Sequence, residues 1–223
     1  MEVIKIIELK ESVFADNDAE AEKLRKSLKK RGTFLINVMS SPGAGKTSTL
    51  KALIPKLAQN HSVSVMEADI DGAIDADEIQ EETGAHAVQL HTGGMCHLDA
   101  GMTEQGINSL GNTPSDIVFL ENVGNLVCPA EFDTGAAINA VILSVPEGDD
   151  KPLKYPLMFE KADVVILNKC DVLPYFDFDL DTFKKYLRDR NASCDLIQIS
   201  AKTGDGTDEL AAWIERTYEA WRA

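Results

Sequence analysis

Phe34-Leu35-Ile36-Asn37-Val38-Met39 runs directly into Ser40-Ser41-Pro42-Gly43-Ala44-Gly45-Lys46-Thr47-Ser48, and from Ser48 onward STLKALIPKLAQ has the pattern of a helix. Strand, glycine-rich loop and helix in that order make a phosphate-binding loop. Small residues let backbone N–H groups close around phosphate oxygens, and the helix N-terminus points at the anion. A lysine reaches the β and γ oxygens, and a hydroxyl is offered to Mg²⁺. Gly43, Ala44, Gly45, Lys46, Thr47 and Ser48 occupy these positions. Ser40 stands where the general pattern has its first glycine.

Outward from this loop, apolar runs alternate with helix-length segments: SVSVME (62–67), HAVQL (86–90), DIVFLE (116–121), NAVILSV (139–145), DVVILN (163–168) and DLIQIS (195–200). With FLINVM that makes seven strands, rich in Val and Ile and scarcely alternating, as expected where both faces of a sheet are covered. The expected fold is α/β, a three-layer P-loop NTPase with a mainly parallel sheet. DNDAEAEKLRKSLKKR (16–31) lacks Pro and Gly until Gly32, which gives an N-terminal helix. The expected division is a helical extension at 1–32 and one nucleotide-binding domain at 33–223.

Asn168-Lys169-Cys170-Asp171 ends one strand run and Ser200-Ala201-Lys202 ends the last. A carboxylate such as Asp171 accepts from N1–H and the 2-amino group of guanine, and adenine offers neither donor there, so the pair points to GTP and GDP rather than ATP. The C-terminal edge of an open α/β sheet is where ligands bind. Glu67 and Asp69 are read as following the second strand. Glu121-Asn122-Val123-Gly124 follows DIVFL, supplying an acid for Mg²⁺ or water and Gly124 as an N–H donor to the γ-phosphate. Lys46, Asp69 and Glu121 are the catalytic candidates, and Thr47, Asp69 and Glu121 the Mg²⁺ candidates. Asn125 follows Gly124 where small GTPases carry the water-orienting Gln, so slow intrinsic turnover is expected.

Thr92-Gly93-Gly94-Met95-Cys96-His97-Leu98-Asp99 places a thiol beside an imidazole, a donor set suited to Zn²⁺, Ni²⁺ or copper rather than Mg²⁺. Cys128 lies just past ENVGNLV, and a two-fold dimer meeting there would bring three such ligands from each chain. The 22 Lys and Arg against 37 Asp and Glu give a net charge of −15. That balance argues against nucleic acid and anionic membranes as partners, because both are bound through clustered cations. The one basic cluster, Lys23 to Arg31, is read as a solvated helix face. No apolar run reaches the roughly 18 residues of a membrane span, and the N-terminus lacks a signal-peptide pattern, so a cytoplasmic location is expected. Four cysteines are too few for a disulfide scaffold.

From about Phe34 onward, SSPGAGKT, TGGMCHLDA, ENVGNLVCP, SVPEGDDKPLKYP, NKCD and SAKTGDG resemble the nickel-incorporation GTPases of hydrogenase and urease maturation, the HypB family. The resemblance implies a SIMIBI-class GTPase that forms a nucleotide-dependent homodimer. It also implies Ni²⁺ or Zn²⁺ at Cys96, His97 and Cys128, and nickel delivery to the [NiFe]-hydrogenase large-subunit precursor with a HypA-type accessory protein. The chain departs from the family in having no Cys before position 96 and no His before 61. It also has Gly72, Ile74 and Glu78 where relatives carry Thr and Arg. The rival families are the UreG urease accessory GTPases, whose metal motif is Cys-Pro-His, and the GTPase chaperones of cobalamin-dependent mutases, which lack a Cys-His motif. A third reading is a GTP-regulated binding module without turnover.

Overall fold

The computed structural model describes residues 9–69, 74–111 and 115–223. The chain runs α1 (Leu9–Arg31), β1 (Phe34–Ser40), α2 (Lys46–Leu57), β2 (Val63–Asp69), α3 (Ile74–Thr83), β3 (His86–His91), α4 (Ala100–Ser109) and β4 (Ile117–Glu121). It continues α5 (Cys128–Glu131), β5 (Ile138–Ser144), α6 (Lys151–Lys154), α7 (Pro156–Glu160), β6 (Val164–Asn168), α8 (Leu180–Arg190), β7 (Asp195–Gln198) and α9 (Thr207–Arg222). The strands form one sheet in the order β3-β2-β4-β1-β5-β6-β7. Every pairing is parallel, so the sheet is wholly rather than mainly parallel. Glu67 and Asp69 belong to β2 itself, whereas Ser200 lies beyond the end of β7.

The uniform apolar runs are explained by position. In β1, Phe34, Ile36 and Val38 pack with Leu50, Leu53 and Ile54 of α2 and Leu210, Ile214 and Tyr218 of α9. Leu35 on the opposite side joins Leu24 and Leu28 of α1 and Ile107 of α4. The helix expected at 16–31 therefore begins earlier, at Leu9, and contributes to the core, while Lys23, Lys26, Lys29 and Lys30 on its other side are exposed. Burying a Leu of this kind contributes about 2 kcal/mol. A third cluster joins Val141, Leu143, Val165 and Leu167 to Phe159, Phe183 and Leu187 under α7 and α8. The edge strand β3 is only partly buried, with His86 and His91 exposed at its two ends.

Side-chain caps fix where helices start. The Asp99 carboxylate accepts from Met102 N–H at 2.7 Å at the head of α4, and Asp179 accepts from Asp181 and Thr182 N–H at the head of α8. Gly206 precedes α9 at φ +72°, where a Cβ would lie 2.0 Å from the Gln198 carbonyl oxygen. Gly204, at φ +86°, has open space around it. Gly204→Ala is expected to cost only the left-handed backbone penalty, about 1–2 kcal/mol. Gly206→Ala adds a backbone clash and should cost about 4 kcal/mol. Urea unfolding of the two variants checks the difference, and equal losses would mean that β7 yields to the new methyl group.

Candidate functional site

The C-terminal ends of β1, β2, β4, β5, β6 and β7 carry the loops that matter, because a parallel sheet delivers all of its strands to one edge. Two adjoining clefts of about 580 Å³ each open there. One is lined by Gly43, Lys46, Thr47, Glu67, Asp69, Glu121 and Gly124, and the other by Lys51, Asn168, Asp171, Ala201 and Lys202. Gly45, Ser48 and Lys169 line both. A larger cleft of about 730 Å³ between α1, α5 and α7, with Arg25, Phe132 and Leu157 in its walls, contains none of these residues.

In the phosphate loop, Gly43 and Gly45 take φ values of +76° and +98°. A Cβ on Gly45 would sit 2.5 Å from Asn168 Nδ2, so only glycine lets the loop approach β6 this closely. The serine in place of the first glycine is put to use: Ser40 Oγ donates to the Ser41 carbonyl at 2.7 Å and accepts from Lys46 Nζ at 3.3 Å. Ser41 Oγ in turn donates to Glu147. The other oxygen of Glu147 accepts from Ser144 N–H and Ser144 Oγ, both at 2.7 Å, closing a capping box. Glu147 thus ties the end of β5 to the phosphate loop. Its only signal in the sequence was the S-x-x-E spacing of Ser144 and Glu147, easily passed over beside a tract that reads as a family motif.

The segment at the end of β6 is clamped from three sides. Asn168 Nδ2 donates to the Ala44 carbonyl at 3.0 Å, and its Oδ1 accepts from Lys169 N–H at 2.7 Å and Ala201 N–H at 3.1 Å. Lys169, the only non-glycine with positive φ among the described residues, reaches back with Nζ to the Gly43 carbonyl at 2.7 Å. Such left-handed backbone persists where surrounding contacts over-determine it. Ser200 Oγ donates to Asp171 Oδ1 at 2.8 Å, turning the carboxylate along the cleft wall. Phosphate loop, Asn168-Lys169-Cys170-Asp171 and Ser200-Ala201-Lys202 therefore form one hydrogen-bonded assembly. Cys170 behind it is pushed to a higher pKa mainly by burial, which keeps it a thiol.

On the phosphate side, Thr47 Oγ1 donates to Glu121 Oε1 at 3.0 Å, and Asp69 lines the same cleft. A hydroxyl and two carboxylates are hard oxygen donors, the set that Mg²⁺ takes beside phosphate. Gly124 lies against the phosphate loop, where a Cβ would be 3.2 Å from Pro42. Asn125 Oδ1 accepts from Val127 N–H at 2.8 Å, so this side chain shapes the turn into α5. In the first-switch region, Glu78 pairs with Lys51 at 3.3 Å; Gly72 lies outside the described residues, as does the side chain of Ile74.

The expected metal residues come from two loops. Cys96 and His97 follow Thr92, whose Oγ1 donates to the Met95 carbonyl at 2.6 Å, and Cys128 opens α5. The neighbouring Cys96, and then burial, push the Cys128 thiol up. Cys96 Sγ is 3.9 Å from His97 Nδ1. The His97 ring stacks on Phe132 at 3.8 Å, and its Nε2 is buried without a hydrogen-bond partner. Burial also lowers the His97 pKa, favouring the neutral imidazole that a metal requires. Among the described residues no three such side chains converge as a complete ligand set within one chain.

Residues 34–198 match the CobW/HypB/UreG nucleotide-binding domain family. Hydrogenase maturation factor HypB of Rhizobium leguminosarum bv. viciae is 45% identical over 211 residues, spanning 95% of this chain and 70% of that protein. The chain belongs to the HypB family. A HypB relative from Helicobacter hepaticus, a hydrogenase/urease maturation factor, is 41% identical over 216 residues, spanning 95% of this chain and 88% of that protein. The crystal structure of HypB from Helicobacter pylori in complex with nickel aligns at a TM-score of 0.87 and 37% identity, covering 93% of this chain and 98% of that one. HypB membership accounts for the P-loop nucleotide site and sets aside the UreG reading. Among the described residues no helix is long and apolar enough to cross a membrane.

Proposed function

We propose that the chain is a GTP-hydrolysing metallochaperone that binds nickel or zinc and helps insert nickel into [NiFe]-hydrogenase during its maturation. The observation that carries this reading is Cys128 at the head of α5, a short loop away from Gly124 at the phosphate cleft, with the His97 ring stacked at 3.8 Å on Phe132 at the end of the same helix. Nucleotide state and metal ligands then share one stretch of chain, residues 121–128.

In this reading Gly43 to Ser48 bind the phosphates and Asp171 selects guanine. Lys46 neutralises charge on the β and γ oxygens, and Gly124 N–H meets the γ-phosphate. Thr47, Asp69 and Glu121 would hold Mg²⁺, which would offset the negative charge of the phosphates. With Asn125 turned toward Val127, no Gln-type side chain follows Gly124 to orient water, so turnover is slow. Two sulfurs and one imidazole fall short of the four donors of a closed site, and two copies of the chain supply enough for a shared one. The partners are a second copy of the chain, held by GTP, a HypA-type accessory protein and the hydrogenase large-subunit precursor. The charge of −15 speaks against nucleic acid.

If GTP holds residues 121–128 in one arrangement and GDP releases them, metal affinity must differ between the two states, and metal must shift nucleotide preference by the same factor. Competition with a chromogenic chelator, for Ni²⁺ and for Zn²⁺, is expected to give different affinities with GDP and with a non-hydrolysable GTP analogue, in step with mass by light scattering. Cys96→Ala should lose most metal binding, about tenfold or more, while nucleotide affinity stays within about twofold. Normal metal binding by that variant would remove Cys96 from the site, and identical affinities and masses in both nucleotide states would end the linkage.

A further inference from the structure

Asn37 sits in the middle of β1 and is 1% exposed, between Leu35 and Met39 on its own side of the strand and Ile36 and Val38 on the other, all buried. An apolar residue there would extend the core, whereas a buried amide is tolerated only when hydrogen-bonded. Its bonds form a ladder. Asn122 Nδ2 donates to Asn37 Oδ1 at 3.0 Å, Asn37 Nδ2 donates to Asn139 Oδ1 at 2.9 Å, and Asn139 Nδ2 donates to the Lys161 carbonyl at 3.2 Å.

The upper end of the ladder fixes the loop after β4. Asn122, fully buried, is held at three atoms: its N–H donates to the Val38 carbonyl at 2.9 Å, its Oδ1 accepts from Val123 N–H at 2.9 Å, and its Nδ2 rests on Asn37. Val123 N–H is thereby committed to Asn122. The next residue, Gly124, lines the phosphate cleft and lies so near the phosphate loop that a Cβ on it would be 3.2 Å from Pro42.

We propose that Asn37 and Asn122 are positioning residues that preset this loop for a nucleoside triphosphate and so establish its preference over the diphosphate. The inference rests on the reading that Gly124 meets the γ-phosphate. Diphosphate binding uses Gly43 to Thr47 and Asp171, which the ladder does not touch, so a loosened loop penalises the triphosphate alone.

The test uses the full chain with Mg²⁺ and fluorescent GDP and non-hydrolysable GTP analogues. Asn37→Leu keeps the branched outline of the side chain and strands the Asn122 amide; the analogue should weaken about tenfold, equivalent to one buried amide left unpaired, with GDP within about twofold. Asn139→Ala removes the outer rung but leaves Asn37 Oδ1 on Asn122, so stability falls while the analogue-to-GDP ratio holds. If Asn37→Leu does not fold, Asn122→Asp decides, since it keeps the bond to Val123 N–H, cannot donate to Asn37, and should show the same loss. A ratio unchanged in a folded Asn37→Leu or Asn122→Asp variant, or lowered equally by Asn139→Ala, overturns the proposal. Equal affinities for both nucleotides in the unaltered chain overturn the γ-phosphate reading and the proposal together.

Discussion

Asp171→Asn is expected to weaken GTP and GDP by about 30-fold to 1,000-fold and to favour xanthine nucleotides. The carboxylate, oriented by Ser200 Oγ at 2.8 Å, matches two donors on guanine, and an amide offers one acceptor and one donor in their place. A mismatched or unpaired group in such a site costs about 2–4 kcal/mol. Xanthine carries a carbonyl where guanine has its amino group, so the new amide donor finds an acceptor. Titrations of GDP, XDP and ADP with both forms of the protein check the result. The assignment fails if the unaltered chain binds adenine and guanine nucleotides equally, or if the variant keeps its guanine affinity.

Lys46→Ala is expected to lower GTP turnover about 100-fold to 1,000-fold, the usual cost of removing a preorganised donor from developing charge. Lys46 opens α2, and its ammonium rests 3.3 Å from Ser40 Oγ at the floor of the phosphate cleft. The side chain lies outside the core, so far-ultraviolet circular dichroism and the unfolding midpoint should scarcely change. Single-turnover measurements separate chemistry from affinity. Turnover persisting at the original rate with the fold intact would place the catalytic charge elsewhere.

The phosphate loop was legible because its requirements are local: glycine where the backbone turns left-handed, a lysine and a hydroxyl at fixed spacing, a strand before and a helix after. The strands were legible in number and nearly in extent, since each is a short stretch rich in Val, Ile, Leu or Ala between helix-length segments. Their ends shifted by a residue or two where hydrogen bonding to a neighbour continued past the apolar stretch, as at Asp69, which pairs with His91. The role of α1 was harder to read. Charged residues of both signs dominate its composition, and only its packing shows Ala21, Leu24 and Leu28 closing one face of the sheet.

By itself, the sequence determined the chemistry available: a glycine-rich phosphate loop, a carboxylate at the end of a strand, a Cys-His pair and a second cysteine, each encoded in a few adjacent residues. Only the tertiary structure decided which of these meet. Seven parallel strands with β1 between β4 and β5 bring residues 40–48, 121–128, 144–147, 168–171 and 200–202 to one edge. His97 stacks on Phe132, Ser41 meets Glu147, and Asn37 meets Asn122 across 85 positions of chain. Such pairs leave no local trace, because a hydrogen bond between distant segments depends on strand order and register rather than on the residues beside it.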